Sequence, residues 1–284
     1  MPELPEVETV RRQLAPRVQG RAIVAYRVSD PRWTAPREPG EVLGPLLGRP
    51  TVELGRRGKY LIWEFEDELF LLMHLRMTGN LLYDAPPETP YTRAHLGLDD
   101  GHDLRFVDPR RFGTGWLLAG RRELDAYLDA RLGLEPFDDD FTAAHLRALA
   151  RRSRMPVKAF LLDQRRIAGV GNIYADEALF QAKIHPLREA GKLTLRQWEA
   201  LHNTVRAALA AGIDANGATI DDFRDLDGAR GSFQDRFLVH RRAGDPCPNC
   251  GRPVTKILAA SRGTYVCERC QPRPRGTKIT PMTR

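Results

Sequence analysis

The residues of this 284-residue chain best placed to do chemistry are its four cysteines and its second residue. Cys247 and Cys250 form one Cys-x-x-Cys turn and Cys267 and Cys270 another, with sixteen residues between them. Each turn offers two thiolates to one side of a tetrahedral ion, and the stretch between has the length of a β-hairpin that closes a four-thiolate site. Disulfides are the competing chemistry. The first thirty residues contain no signal-peptide core and no cysteine occurs elsewhere, which points to a reducing compartment and to zinc. Four protein ligands leave no position open for water, so the zinc is expected to be structural, folding a module with little core of its own.

At the other end the chain opens Met1-Pro2-Glu3. A small second residue permits removal of Met1, which would leave Pro2 with a free secondary amine. An α-amino group titrates at roughly 7.7 to 8.0, so about a tenth of it is an unprotonated nucleophile near pH 7. When such an amine attacks a sugar C1′, the resulting iminium cannot lose an N–H proton and acts as an electron sink for elimination. Glu3, beside it, can shuttle protons.

Charge suggests the partner. The chain carries 44 Lys plus Arg against 37 Asp plus Glu, a net +7, and residues 241–284 hold ten basic and two acidic residues, leaving 1–240 at −1. A concentrated basic segment favours a polyanion, because each cation that meets a phosphate releases counterions. No apolar run approaches the roughly 20 residues needed to cross a bilayer. These features lead us to expect a soluble, cytoplasmic protein with no membrane partner.

Elements that could position these residues follow from periodicity. Val7, Val10 and Leu14 mark a helix over 5–15, with Pro16 as its stop. From residue 22 to about 119 the runs are short and β-rich, including 60–65, 69–75 and 96–107 with an Asp100-Gly101 turn inside the last. They read as a β-sandwich or barrel. Residues 133–140 have linker composition, and 141–211 show helical spacing. Within the helical part, Pro156 can start a short helix and Asn172 can cap another, joined through Gly169 and Gly171 in a helix-two-turn-helix pattern.

Five separated motifs then coincide in order: Pro2-Glu-Leu-Pro-Glu-Val-Glu-Thr-Val10, Arg57-Gly-Lys-Tyr-Leu61, Met73-His-Leu-Arg-Met-Thr-Gly79, Asp108-Pro-Arg-Arg-Phe-Gly113 and Gly169-Val-Gly-Asn-Ile-Tyr-Ala-Asp-Glu177, followed by the four cysteines. In this the chain resembles the formamidopyrimidine-DNA glycosylase family over residues 2 to about 270. The resemblance implies an α+β multidomain fold: an N-terminal catalytic β-sandwich with flanking helices over 1–132, a helical helix-two-turn-helix domain with a lesion-capping loop over 133–236, and a β-hairpin zinc finger over 237–270. The fourteen residues 271–284 depart from the family pattern, and their basic, Pro-containing composition reads as a disordered tail. It also implies excision of oxidised purines from duplex DNA bound across a cleft, and strand nicking by β,δ-elimination, with one structural zinc and no catalytic metal.

Carried over residue by residue, the resemblance makes Pro2 the Schiff-base nucleophile, Glu3 its acid–base partner and Glu6 a second pocket carboxylate. Lys59 resembles the family's phosphate-contacting lysine near the reaction centre. His74, Asn172 and Arg262 would grip phosphates flanking the lesion, with Lys158 as a further contact. Met77, Arg110 and Phe112 would fill the space left by the extruded nucleotide, the guanidinium pairing with the orphaned cytosine, although Arg111 is an alternative to Arg110. A loop over 217–232 would close on the extruded base. Where the family has Tyr-Gly-Arg ahead of the zinc module, this chain reads His240-Arg241-Arg242. Two alternatives share the scaffold: an endonuclease VIII-like enzyme for oxidised pyrimidines, against which Leu4 and the Met77, Arg110, Phe112 set argue, and a noncatalytic DNA-damage binder that keeps Met1. DNA with oxidised bases or abasic sites is the expected partner, bound by a monomer associated with the nucleoid.

Overall fold

The computed structural model describes residues 1–276; the end of the expected tail, 277–284, lies outside the described residues. Two compact units emerge, one of residues 1–130 with 212–234, the other of 131–211 with the described chain from 235. The sequence division keeps 212–234 with the helical part, whereas its contacts put it with the first unit, for reasons of packing given below.

In the first unit, α1 (Leu4–Val18) buries Val7, Val10, Leu14 and Val18 completely. Pro16 was expected to end this helix but sits inside its last turn. Only the helix end follows it, and burial of Val18 offsets the hydrogen bond that proline cannot donate. Two four-stranded antiparallel sheets follow. One has the order β1-β6-β7-β5, built from β1 (Ile23–Val28), β5 (Asn80–Tyr83), β6 (Thr92–Leu98) and β7 (Asp103–Val107). The other runs β2-β3-β4-β8, from β2 (Thr51–Arg57), β3 (Tyr60–Phe65), β4 (Leu69–His74) and β8 (Thr114–Ala119). A short helix α2 (Pro39–Leu43) lies between β1 and β2, and α3 (Arg121–Asp129) packs on β8. Inward-facing Leu61, Trp63, Phe65, Leu71, Met73, Leu96, Leu104 and Phe106 form one core with the apolar face of α1. Alternation on half-buried strands such as β6, with continuous apolar runs such as β4, made this arrangement readable in the sequence.

The segment 217–232 completes that core. Phe223 and Leu226 are buried in it. Gln13 donates to Asp225 and accepts from the Leu226 N–H, Arg17 pairs with Asp227 at 2.7 Å, and the Asn80 amide bridges Asp222 O and Arg224 N.

In the second unit, α4 (Ala143–Ala150), α5 (Val157–Leu162), α6 (Asn172–Gln181) and α7 (Leu195–Asp214, whose last residues enter the first unit) surround a core that includes the Phe160–Trp198 ring pair. The chain ends in a hairpin of β9 (Thr255–Ala259) and β10 (Arg262–Val266). A small cluster of Phe180, Val239, Val254, Cys247 and Cys267 joins the hairpin module to α6. Gln271, placed by sequence at the start of the tail, is instead buried, accepting from Cys267 N and donating to Ile184 O. The ordered module therefore continues past its last cysteine.

Candidate active site and zinc centre

Glu3 caps α1, and its carboxylate and that of Glu6 form a reciprocal capping box. Glu6 Oε2 accepts the Glu3 N–H at 2.7 Å, while Oε1 accepts the Ala218 N–H at 2.8 Å. Gly217 makes that second bond possible: it takes φ +79°, and a Cβ there would lie 2.8 Å from Glu6 Cγ. Glu6 thus ties the start of α1 to the 217–232 segment, which the sequence reading as a pocket carboxylate did not anticipate. Pro2, Glu3 and Glu6 are all buried at the positive end of α1.

Strand register brings the next residues together. Lys59 precedes β3 at the turn from β2, Tyr60 pairs with His74, and His74 pairs with Thr114, so one end of the sheet holds Lys59, His74 and the start of β8. Lys59 is only 5% exposed. His74 accepts the Arg76 N–H on Nδ1 at 2.9 Å, which leaves Nε2 to carry the proton. Burial, with the nearby charges of Arg76 and Lys59, holds its pKa well below 6.5, so the ring is neutral at pH 7.

Two loops extend from this sheet end. Asp108, 1% exposed, organises both: its carboxylate accepts from Thr78 Oγ1 in the loop after β4 and from the backbone N–H groups of Arg110, Phe112 and Gly113. Gly113 must be glycine, because a Cβ would lie 2.4 Å from the Phe106 ring. The scaffold leaves Phe112 51% exposed, with the Arg110 guanidinium 4.9 Å above its ring, and Met77 half-buried on the partner loop. Arg111 turns the other way through a left-handed backbone (φ 61°) into a crevice with Asp30, Arg32 and Trp33. Arg110, not Arg111, therefore stands with Phe112.

In the second unit Asn172 begins α6 rather than capping it; Gly171 is the N-cap, and Asn172 Nδ2 donates to Gly263 O on β10 at 3.1 Å. Arg262 is exposed at the start of β10, after a two-residue turn in which Ala260 and Ser261 both take left-handed conformations.

Lys158 requires a correction. Expected at a phosphate, it is fully buried, with Nζ 2.6 Å from Asp176 Oδ1 and 2.7 Å from Thr264 Oγ1. An ammonium so enclosed cannot reach DNA; it fastens α5 to α6 and the hairpin. The other Asp176 oxygen lies 2.9 Å from His240 Nδ1, and Glu177 accepts the N–H groups of Leu238, Val239 and His240. Sequence reasoning missed this buried acidic pair; Asp176 and Glu177 are adjacent charges on a helix otherwise apolar from Ile173 to Phe180, which was the available signal. Arg241 has φ 58°, which explains why glycine suits that position in the family pattern.

The ligand atoms of Cys247, Cys250, Cys267 and Cys270 all lie within 4.8 Å of one another, with Sγ separations of 3.8 Å for Cys247–Cys270 and 3.4 Å for Cys250–Cys267. Tetrahedral Zn–S bonds of about 2.3 Å require sulfur atoms about 3.8 Å apart. The four thiolates fit one structural zinc.

Family models match over most of the chain: the formamidopyrimidine-DNA glycosylase N-terminal domain at 1–115, its H2TH domain at 132–224, and a zinc finger found in FPG and IleRS at 244–273. The formamidopyrimidine-DNA glycosylase of Symbiobacterium thermophilum is 45% identical over 99% of this chain and 92% of its own, and that of Chloroflexus aggregans 45% over 95% and 98%. Among solved structures, MutM (Fpg) from Thermus thermophilus superposes with a TM-score of 0.85 at 42% identity, covering 95% of this chain and 98% of that one. A Lactococcus lactis Fpg in complex with oxidised-pyrimidine DNA gives 0.88 at 36%, over 96% and 100%. With three consecutive domain matches and relatives aligned along nearly its whole length, the chain belongs to the formamidopyrimidine-DNA glycosylase family.

Proposed function

We propose that this base-excision repair glycosylase and AP lyase removes oxidised purines from duplex DNA with Pro2 as its nucleophile. The observation that carries the reading is the buried start of α1, where Pro2 is buried beside Glu3 and Glu6 fixes the Glu3 backbone and that of Ala218. Once Met1 is removed, the Pro2 amine forms a bond to C1′ as the damaged base departs with the glycosidic electron pair, and Glu3 moves the protons. The iminium then drives two eliminations that break the strand on its 3′ and 5′ sides and leave phosphate ends. Helix α1 assists by presenting its positive end, which disfavours a protonated amine beside it.

The remaining residues take binding roles in this reading. His74 donates from Nε2 to a phosphate without carrying charge. Lys59 and Arg262 supply charge, and Asn172 supplies its backbone N–H at the start of α6, its amide being engaged with Gly263. Met77, Arg110 and Phe112 enter the duplex where the nucleotide has left; 217–232 covers the extruded base. Zinc keeps the Arg262 hairpin folded. No helix among the described residues is long and apolar enough to cross a membrane, in keeping with action on chromosomal DNA in the cytoplasm.

Lactococcus lactis Fpg has been solved with Fapy-dG DNA, with oxidised-pyrimidine DNA and with abasic-site DNA. The test is therefore borohydride trapping on duplexes carrying either 8-oxoguanine opposite cytosine or an oxidised pyrimidine, followed by peptide mapping. A Pro2 crosslink favouring the purine supports the reading. A crosslink favouring the pyrimidine moves the specificity to the endonuclease VIII type, and binding without a crosslink, with Met1 retained by intact mass, sinks the chemistry.

A further inference from the structure

The net charge of 1–240 conceals a local imbalance: residues 141–162 hold five basic residues and no acidic one. Lys158 is neutralised internally by Asp176, but among the described residues no carboxylate pairs with the other four, Arg147, Arg151, Arg152 and Arg154. Three of them, Arg147, Arg151 and Arg152, edge a groove of about 430 Å³ at the end of α4. Among the described residues no hydrogen bond or ion pair engages the side chains of these three. Elsewhere in the molecule arginines such as Arg17, Arg56 and Arg166 are paired with carboxylates.

The groove is also partly apolar. Leu193 and Leu195 line it, Leu195 being 39% exposed, together with Gly191, where a Cβ would lie 2.7 Å from Ser153 O. That close approach fixes the floor, so the hollow is built rather than a gap between mobile side chains. No acidic residue lines it. Arg147 and Arg151 are one helical turn apart and face the same side. Like charges held around an apolar hollow repel one another, and a ligand bearing both negative charge and an apolar group relieves the repulsion and covers the leucines.

We propose that this groove is a docking site for an acidic peptide segment of a partner protein, with carboxylates at Arg147, Arg151 and Arg152 and one apolar side chain seated against Leu193 and Leu195. A DNA backbone would satisfy the arginines but has no side chain for the leucines. The groove shares no residue with the catalytic or DNA-gripping set, so docking would leave excision untouched.

The probe is a fluorescein-labelled peptide of four aspartates followed by a phenylalanine, titrated by anisotropy against the zinc-loaded full chain. Saturable binding is expected, weakened by about tenfold in Arg147→Glu/Arg151→Glu and by about tenfold when the peptide phenylalanine becomes serine. Leu195→Ser, whose side chain is already part-exposed, should weaken it in the same direction, and lesion-strand cleavage should be unchanged in all variants. Equal binding of the serine peptide would reduce the groove to a simple charge attraction and overturn the proposal. So would equal binding by the charge-reversed chain, or a loss of undamaged-duplex affinity as large as the loss for the peptide, which would make the groove part of the DNA surface.

Discussion

Glu6 accepts two backbone N–H groups that lie more than two hundred residues apart in sequence. Replacing it by Gln sets an amide N–H₂ against one of those donors, so Glu6→Gln should cost about 1–3 kcal/mol in chemical denaturation. Lys158 offers a sharper contrast. In sequence it and Lys59 are both lysines ahead of apolar runs, and nothing local tells the residue proposed to grip a phosphate from the structural one, because Asp176 and Thr264 come from distant elements. Lys158→Ala should strip the buried Asp176 of its main partner and lower stability by about 3–5 kcal/mol, where loss of an exposed phosphate contact would leave the melting curve unmoved. His74 gives a pH dependence with a definite sign. Its folded pKa lies below the unfolded 6.5, so as pH falls below 6.5 the unfolded chain binds the proton first and stability declines. His74→Gln should flatten that part of the acid limb in melts taken between pH 7 and 5.

Strands and turns were the legible elements: alternation marks β3 and β6, a continuous apolar run marks β4, and Asp100-Gly101 marks the turn between β6 and β7. Asn172 was less so, since a residue able to cap a helix and one able to cross-brace a hairpin look the same until Gly263 is brought alongside. The hairpin itself departs from the usual pattern for a two-residue turn, which prefers Asn-Gly, by placing Ala260 and Ser261 in left-handed conformations. Strain of about 1–2 kcal/mol per residue is expected there. Ala260→Asn/Ser261→Gly should therefore slow zinc release to a chelator, and an increased release rate would show that the turn is not the weak point. Gly113→Ala should act oppositely on the first unit, since its new methyl group meets the Phe106 ring; a lowered Tm by about 1–3 kcal/mol of destabilisation is expected.

At the scale of the molecule, both units were anticipated, but the return of 212–234 to the first was not, because the seats for Phe223 and Leu226 are made by strands more than a hundred residues earlier. Zinc has a correspondingly local reach: the small cluster around Cys247 and Cys267 touches the rest of the second unit through Phe180 and Val239. Chelation should abolish affinity for lesion DNA while far-UV circular dichroism shows the helices retained; parallel loss of both would mean that the whole unit depends on the metal. The discontinuous first unit also sets an order of events during synthesis. Its first 130 residues leave the ribosome with Phe223 and Leu226 still unmade, and at about 5–20 residues per second the missing strap follows roughly 5–20 s later. For that interval the nascent β-sandwich shows an open apolar seam, so a pause in translation between residues 130 and 234 would prolong the window in which a chaperone, or another nascent chain, can occupy it.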